Sequence, residues 1–281
     1  MKKEKIVEEQ YVLTPLNNLM MNYGVYVFSK SEKFLVNLIT FILGGATGLI
    51  FYSGLFKVDG YATLATYISD IIFFVIVGYV GMKFLAPMYK QSRLEKRKNA
   101  IKTQFRDMLE SLAASFSAGS NVHTAFLSAL NDLKMQYDEK DMIIQEMQQI
   151  INASAQGVNI DVMLRDFSVR SQNDDILNFA DVFGMCHEKG GNMQAVILRT
   201  HDLIGQKITI SDEIQTKLTS NKMQHNVMSV MPIAVVLMLK LTNESFAQNF
   251  ATPLGVIVNT IAIGIFIGAY KYGQKIVDIK A

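Results

Sequence analysis

The stretch Phe34–Phe56, FLVNLITFILGGATGLIFYSGLF, is 23 residues long and carries no charge. A helix rises about 1.5 Å per residue, so this run is long enough to cross a hydrocarbon core of about 30 Å. Three further runs have the same character. Ile68–Tyr89 contains Asp70 and Lys83, far enough apart along a helix for each to reach an opposite interface. The third run goes from about Met223 to Thr242 and carries Lys240 near its end, and the fourth, Phe250–Tyr270, is uncharged. The chain of 281 residues is 50% hydrophobic and 19% charged, below the roughly 25% charged residues of soluble domains. The apolar excess falls in residues 34–89 and 223–272, which excludes a single soluble globular domain.

Basic residues orient the spans. Lys90, Arg93, Lys96, Arg97 and Lys98 follow the second span at once, with Lys102 and Arg106 beyond them. Lys2, Lys3, Lys5, Lys30 and Lys33 precede the first span, and Lys271, Lys275 and Lys280 follow the fourth. The connections 57–67 and 243–249 hold only Lys57. Four spans then put the N-terminal tail 1–33, the middle 90–222 and the tail 273–281 on the cytoplasmic side of a cell membrane. The basic cluster suits anionic lipid headgroups. The single cysteine, Cys186, excludes an intramolecular disulfide and fits a reducing compartment. The first 33 residues lack the pattern of a cleavable signal peptide. Within them, Thr14 as N-cap, Pro15 at the first helical position and Gly24 as terminator predict a short helix. Leu16, Leu19, Met20 and Tyr23 share its apolar face, which would lie at the membrane surface, the alternative reading being a frayed linker.

The middle reads as helix after helix. Ile101, Phe105, Met108, Leu109, Leu112, Ala113 and Phe116 form one stripe, ended by Gly119. Asn121 caps the next, which carries Val122, Ala125, Phe126, Ala129, Leu130 and Leu133. Met142, Ile143, Met147, Ile150 and Ile151 follow, up to Gly157. Asn159 caps a fourth helix with Ile160, Met163, Leu164 and Phe167. Ile176, Phe179, Ala180 and Phe183 mark a fifth, ended by Gly190 and Gly191. Asn192 caps a sixth with Met193, Val196, Thr200 and Leu203, which runs without a proline to Pro232 and so continues into the third span. The fold class is therefore all-α: a polytopic membrane protein of four transmembrane helices with a cytoplasmic antiparallel helical bundle.

Two corners share a pattern, helix–glycine–Asn cap–helix, at Gly119-Ser120-Asn121 and Gly190-Gly191-Asn192. One helix leaves the membrane and the other returns to it, so both corners belong at the membrane-distal tip. In the spans, Gly44 with Gly48 and Gly264 with Gly268 have the small-xxx-small spacing that lets helix backbones approach. No Gly-rich phosphate loop and no His-Glu-x-x-His occurs. Cys186 and His187 are adjacent on a helix and so point about 100° apart. The residues present no catalytic, cofactor or metal site, and a net charge of +2 gives no reason to expect nucleic acid.

Phe105-Arg106-Asp107-Met108-Leu109, Leu112-Ala113 and Ser117-Ala118-Gly119 resemble the first helical corner of type II secretion F domains. His187-Glu188-Lys189-Gly190-Gly191-Asn192 with Val196-Ile197-Leu198 resembles their second corner. The layout is most similar to the single-domain inner-membrane platform proteins of Tad pili (TadB and TadC). The resemblance covers about residues 90–272. It implies a non-enzymatic platform that couples a hexameric cytoplasmic ATPase to the extraction and assembly of pilin subunits. It also implies homo- or hetero-oligomers, including a sister platform protein. ATPase contacts are then expected at Ser120, Asn121, His123, Lys189 and Asn192, and pilin contacts near Gly44, Gly48, Gly264 and Gly268. A small transporter and a membrane signalling protein are the alternative classes.

Overall fold

The computed structural model describes residues 10–56, 61–250 and 252–277. Lys2, Lys3, Lys5, Lys57 and Lys280 lie outside them, as does the side chain of Lys275. The elements are β1 (Tyr11–Leu13), β2 (Leu19–Met21), α1 (Lys30–Tyr52), α2 (Leu64–Ser117), α3 (Val122–Leu133), α4 (Met142–Ala155), α5 (Ile160–Ser171), α6 (Asp174–Lys189), α7 (Met193–Thr242), α8 (Glu244–Phe250) and α9 (Pro253–Val277). Helices dominate, with one small hairpin. Four helical stretches are long and apolar enough to cross a membrane: α1, part of α2, Met223–Thr242 of α7, and Pro253–Gly273 of α9. As the sequence suggests, the sixth helix of the middle region and the third apolar run are one helix, α7, with Pro232 inside it. The chain divides into two compact units, one of residues 1–27 and 90–210, the other of residues 28–89 and 211–281.

The first unit is a helical bundle whose core follows the expected stripes. Ile101, Phe105, Met108, Leu109 and Leu112 of α2 are buried, with Phe126 and Leu133 of α3, Phe167 of α5, and Phe179 and Phe183 of α6. Phe105 meets Phe179 edge-on at 5.6 Å, and Phe126 meets Phe183 at 5.8 Å. A core phenylalanine of this kind contributes about 3–5 kcal/mol relative to alanine. One stripe differs. The buried face of α7 is Ile197, Ile204 and Ile208, whereas Leu203 is exposed. Both phases of that helix are apolar, so spacing alone does not choose between them.

The expected helix over residues 15–23 is absent. The segment forms the antiparallel hairpin β1–β2, pairing Tyr11 with Met21, Val12 with Met20 and Leu13 with Leu19. Its turn is closed by the Thr14 amide donating to the Asn18 carbonyl (2.9 Å), with Asn17 left-handed at φ 56. Instead of lying on a membrane, Met20 and Tyr23 are buried, and Tyr23 joins the bundle core. The spacing of Leu16, Leu19, Met20 and Tyr23 satisfies a helix, but four apolar residues in eight also suit a twisted hairpin packed on one side.

In the second unit, α1 and α2 meet backbone to backbone. A Cβ on Gly44 would lie 2.9 Å from the Val77 carbonyl oxygen and 3.1 Å from the Gly81 Cα. One on Gly48 would lie 2.9 Å from the Val77 Cβ. The packing expected at Gly44 and Gly48 is present, and Gly78 and Gly81 supply its other half. At Gly264 and Gly268 an added Cβ meets nothing within 4 Å. Among the described residues, those two glycines face no other helix at contact distance. Lys240 donates to the carbonyls of Ile50 (2.9 Å) and Ser53 (3.3 Å). A charge within an apolar run is thus used to satisfy the open C-terminal carbonyls of α1.

Candidate functional site

Three corners of the bundle are built alike. At Gly119, Gly157 and Gly190 the backbone is left-handed, with φ of 82, 81 and 67. In each, the amide after the glycine donates to the carbonyl five residues back: Ser120 to Ser115 (3.2 Å), Val158 to Ala153 (2.9 Å) and Gly191 to Cys186 (2.9 Å). This closes one helix in a Schellman cap. The next residue is an asparagine at the N-cap of the following helix. The Asn121 side chain accepts from the Thr124 amide (2.9 Å), and that of Asn192 from the Ala195 amide (3.0 Å). Asn159 occupies the same place, yet its side chain makes no cap bond. Gly-x-Asn thus ends one helix and starts the next three times over.

The three corners lie at one end of this unit. His123 Nδ1 is 3.4 Å from Ser154 Oγ, which joins the first corner to the end of α4. A Cβ on Gly184 of α6 would be 3.4 Å from the Asp161 Cβ, which joins the second corner to the approach of the third. The Phe126–Phe183 contact ties α3 to α6 beneath them. Asn121, His123, Lys189 and Asn192 are exposed, and Ser120 is half-buried. No side chain lies within 4 Å of the place a Cβ would take at Gly119, Gly157 or Gly190. The end therefore offers amides, hydroxyls, an imidazole and one ammonium around bare backbone. That is hydrogen-bonding chemistry for a protein surface. The His123–Ser154 pair is long and exposed, and among the described residues no carboxylate orients its imidazole. The sequence pattern marks Gly157 and Asn159 as plainly as the other two corners, but there the pair reads only as a helix stop and a cap.

Away from the corners, a buried polar network ties the hairpin to α4 and α5. The Arg170 guanidinium binds both oxygens of Glu146, at 2.5 and 2.6 Å, and its Nε donates to Asp166 at 2.7 Å. The Tyr23 hydroxyl donates to Glu146 Oε1 at 2.6 Å, and the Tyr23 amide donates to the Arg170 carbonyl at 2.9 Å. Asn18 Nδ2 donates to Gln149 Oε1 at 2.6 Å. Burial, then the negative charge of Glu146, pushes the Tyr23 phenol far above its ordinary range. Burial alone would lower Arg170, but the hydrogen bonds and charge of Glu146 outweigh it and hold the guanidinium above its ordinary value. Each charge is therefore matched, as a buried charge must be.

The expected lipid-facing cluster is divided. Lys90, Arg93 and Lys96 are exposed, whereas Arg97 donates to the Val25 carbonyl (3.1 Å) and covers the Tyr26 ring, and Lys98 donates to Gln172 Oε1 (3.2 Å). Two of the five basic residues thus brace the N-terminal segment and the α5–α6 turn. The Cys186 Sγ packs against Gly191, and the His187 ring stacks on Phe183. Gln104 is a further residue the periodicity hides: its Oε1 accepts the Ile143 amide (3.1 Å) and caps α4, where Asp141 makes no side-chain cap.

No protein-family model, no curated protein and no solved structure matches the chain.

Proposed function

We propose that this chain is a non-enzymatic membrane platform protein of a pilus- or secretion-type machine, and that its Gly-x-Asn end is where a cytoplasmic hexameric ATPase docks. The observation that carries the reading is the threefold repetition of one corner design at one end of the helical unit. A surface with little side-chain relief and fixed backbone geometry suits contact with a large moving partner. The continuity of α7 supports the coupling. Its Asn192-capped start belongs to the corner end, and its Met223–Thr242 portion is an apolar stretch long enough to span. Partner motion at the corner would then pass along one helix to the segment that meets pilin subunits. Ser120, Asn121, His123, Lys189 and Asn192 are the proposed ATPase contacts, to which Gly157 and Asn159 are added. Gly264 and Gly268, open on α9, and the tightly packed Gly44 and Gly48 of α1 are assigned to the part that meets pilin or a sister platform subunit. Orientation with the bundle and both tails in the cytoplasm belongs to the same proposal.

Gentle solubilisation of the tagged chain from its native cells, followed by mass spectrometry, tests it. Co-purification of a P-loop ATPase together with a pilin-like protein is the expected result. Recovery of a substrate-binding protein or a signalling kinase in their place, after mild crosslinking, would replace the platform with a transporter or a sensor.

A further inference from the structure

Arg165 of α5 and Asp181 of α6 form an ion pair on the outside of the first unit. Further along the same two helices, a Cβ on Gly184 would lie 3.4 Å from the Asp161 Cβ. These two contacts make α5 and α6 antiparallel and set their register. About one turn from Arg165 towards the Gly-x-Asn corners, Val162 is level with Met185. About one turn the other way, Val169 is level with Leu177. All four are exposed, from 38% at Leu177 to 69% at Val169. Val162, Arg165 and Val169 follow at steps of three and four, and Leu177, Asp181 and Met185 at steps of four, so each trio shares one side of its helix. Among the described residues, α3 exposes one large apolar side chain and α4 none. The α5–α6 face thus carries two apolar rungs with a rung of opposite charges between them.

This face is its own complement. A second copy turned through half a revolution, about an axis in the face and parallel to the helices, brings its α6 onto the first copy's α5. Its α5 covers the first copy's α6, with no shift along the helices. Val162 then meets Met185, Val169 meets Leu177 and Arg165 meets Asp181, and each contact is made twice. An axis running across the helices would instead set Arg165 against Arg165 and Asp181 against Asp181. Like charges placed together are costly, so the charges select the parallel axis, and the apolar rungs match under it. The geometry points to a homodimer joined face to face through α5 and α6, with a square of two Arg165 and two Asp181 side chains at its centre. A lone exposed ion pair contributes little. In the square each charge gains a second partner, and the flanking apolar side chains leave water. The dimer uses none of the corner residues and does not depend on the platform reading.

The test makes two full-length copies with different affinity tags in the same cells, extracts them in mild detergent, captures one tag and reads the other. The unaltered chain is expected to bring down its own copy. Arg165→Asp turns the central rung wholly acidic and Asp181→Arg turns it wholly basic, so each variant alone loses about tenfold in self-capture. The pair contributes little to the fold of a single chain, so thermal melts stay near the unaltered value. An Arg165→Asp copy made together with an Asp181→Arg copy restores attraction across the dimer, and capture returns to within about twofold of the unaltered chain. Misfolding of either variant could not produce that recovery. In a Cys186→Ser background, a Val162→Cys copy should crosslink to a Met185→Cys copy and not to a Val169→Cys copy. Failure of the unaltered chain to capture itself, undiminished self-capture in both charge variants, or no recovery on combining them would overturn the dimer. Crosslinking of Val162→Cys to Val169→Cys in place of Met185→Cys would overturn its symmetry and with it the charge square.

Discussion

Arg170 and Glu146 face each other fork to fork, 24 residues apart in sequence, each with its side chain 1% exposed. Tyr23, from the hairpin, donates its hydroxyl to the same carboxylate. Removing one member of a buried pair strands the other charge, at a cost of about 3–5 kcal/mol. Arg170→Met is therefore expected to destabilise the bundle by that amount, and Arg170→Met with Glu146→Leu to recover most of it. Tyr23→Phe loses one hydrogen bond to a charged group, about 1.5–3 kcal/mol. Chemical unfolding of the full chain in detergent measures all three. A double variant as unstable as Arg170→Met alone would contradict the pairing.

Tyr137 gives a pH prediction. Its hydroxyl donates to Asp107 at 2.5 Å. Burial, with the hydrogen bond and charge of Asp107 behind it, pushes the phenol up to about 12 from 10.0. The folded state therefore holds this proton more tightly than the unfolded chain. The stabilisation is complete below pH about 10 and is lost as pH rises towards about 12. Tyr137→Phe should flatten the pH dependence of stability in that window, and ultraviolet titration should show one tyrosine ionising late and vanishing in the variant.

The glycines of the second unit separate into two groups. Gly44→Ala places a methyl 2.9 Å from the Val77 carbonyl oxygen, and Gly81→Ala places one 2.9 Å from the Gly44 Cα. Overpacking of this kind costs about 1–3 kcal/mol. Gly264→Ala and Gly268→Ala meet open space and should leave the melting temperature of the purified chain unchanged. Equal losses at all four positions would refute the distinction.

At the corners, Gly119→Ala, Gly157→Ala and Gly190→Ala each force a Cβ into the left-handed region, a cost of roughly 1–2 kcal/mol. Asn121→Ala and Asn192→Ala each remove a cap bond worth about 1 kcal/mol. Asn159→Ala removes none and should leave stability unchanged. It is therefore the corner variant best suited to reading partner binding apart from folding, scored by ATPase co-purification beside an unchanged thermal melt.

Much of the bundle is legible because three of its corners join a glycine stop to an asparagine restart, and the core stripes of α2, α3, α5 and α6 repeat at three and four. The hairpin is not legible for a physical reason. Thr14-Pro15 suits a helix start as well as a turn, and a segment of eight residues is too short for its period to decide. Its true partners, Glu146, Gln149 and Arg170, are remote in sequence. Glu146 and Arg170 read as ordinary surface charges until α4 and α5 are laid side by side. Gly78 and Gly81 escape notice because their spacing is three, not four, and only the facing Gly44 gives it meaning. The phase of α7 is lost because two of its faces are apolar.

The most direct measurement places a photocrosslinking residue singly at Ser120, Asn159 and Lys189, and as a control at Gln172 in the α5–α6 turn, in cells that make the native machinery. Adducts to a P-loop ATPase from the three corner positions and not from Gln172 are the predicted result. Adducts to the ATPase from Gln172 alone, or corner adducts only to proteins without a P-loop, would contradict the assignment of the Gly-x-Asn end as the motor-facing surface.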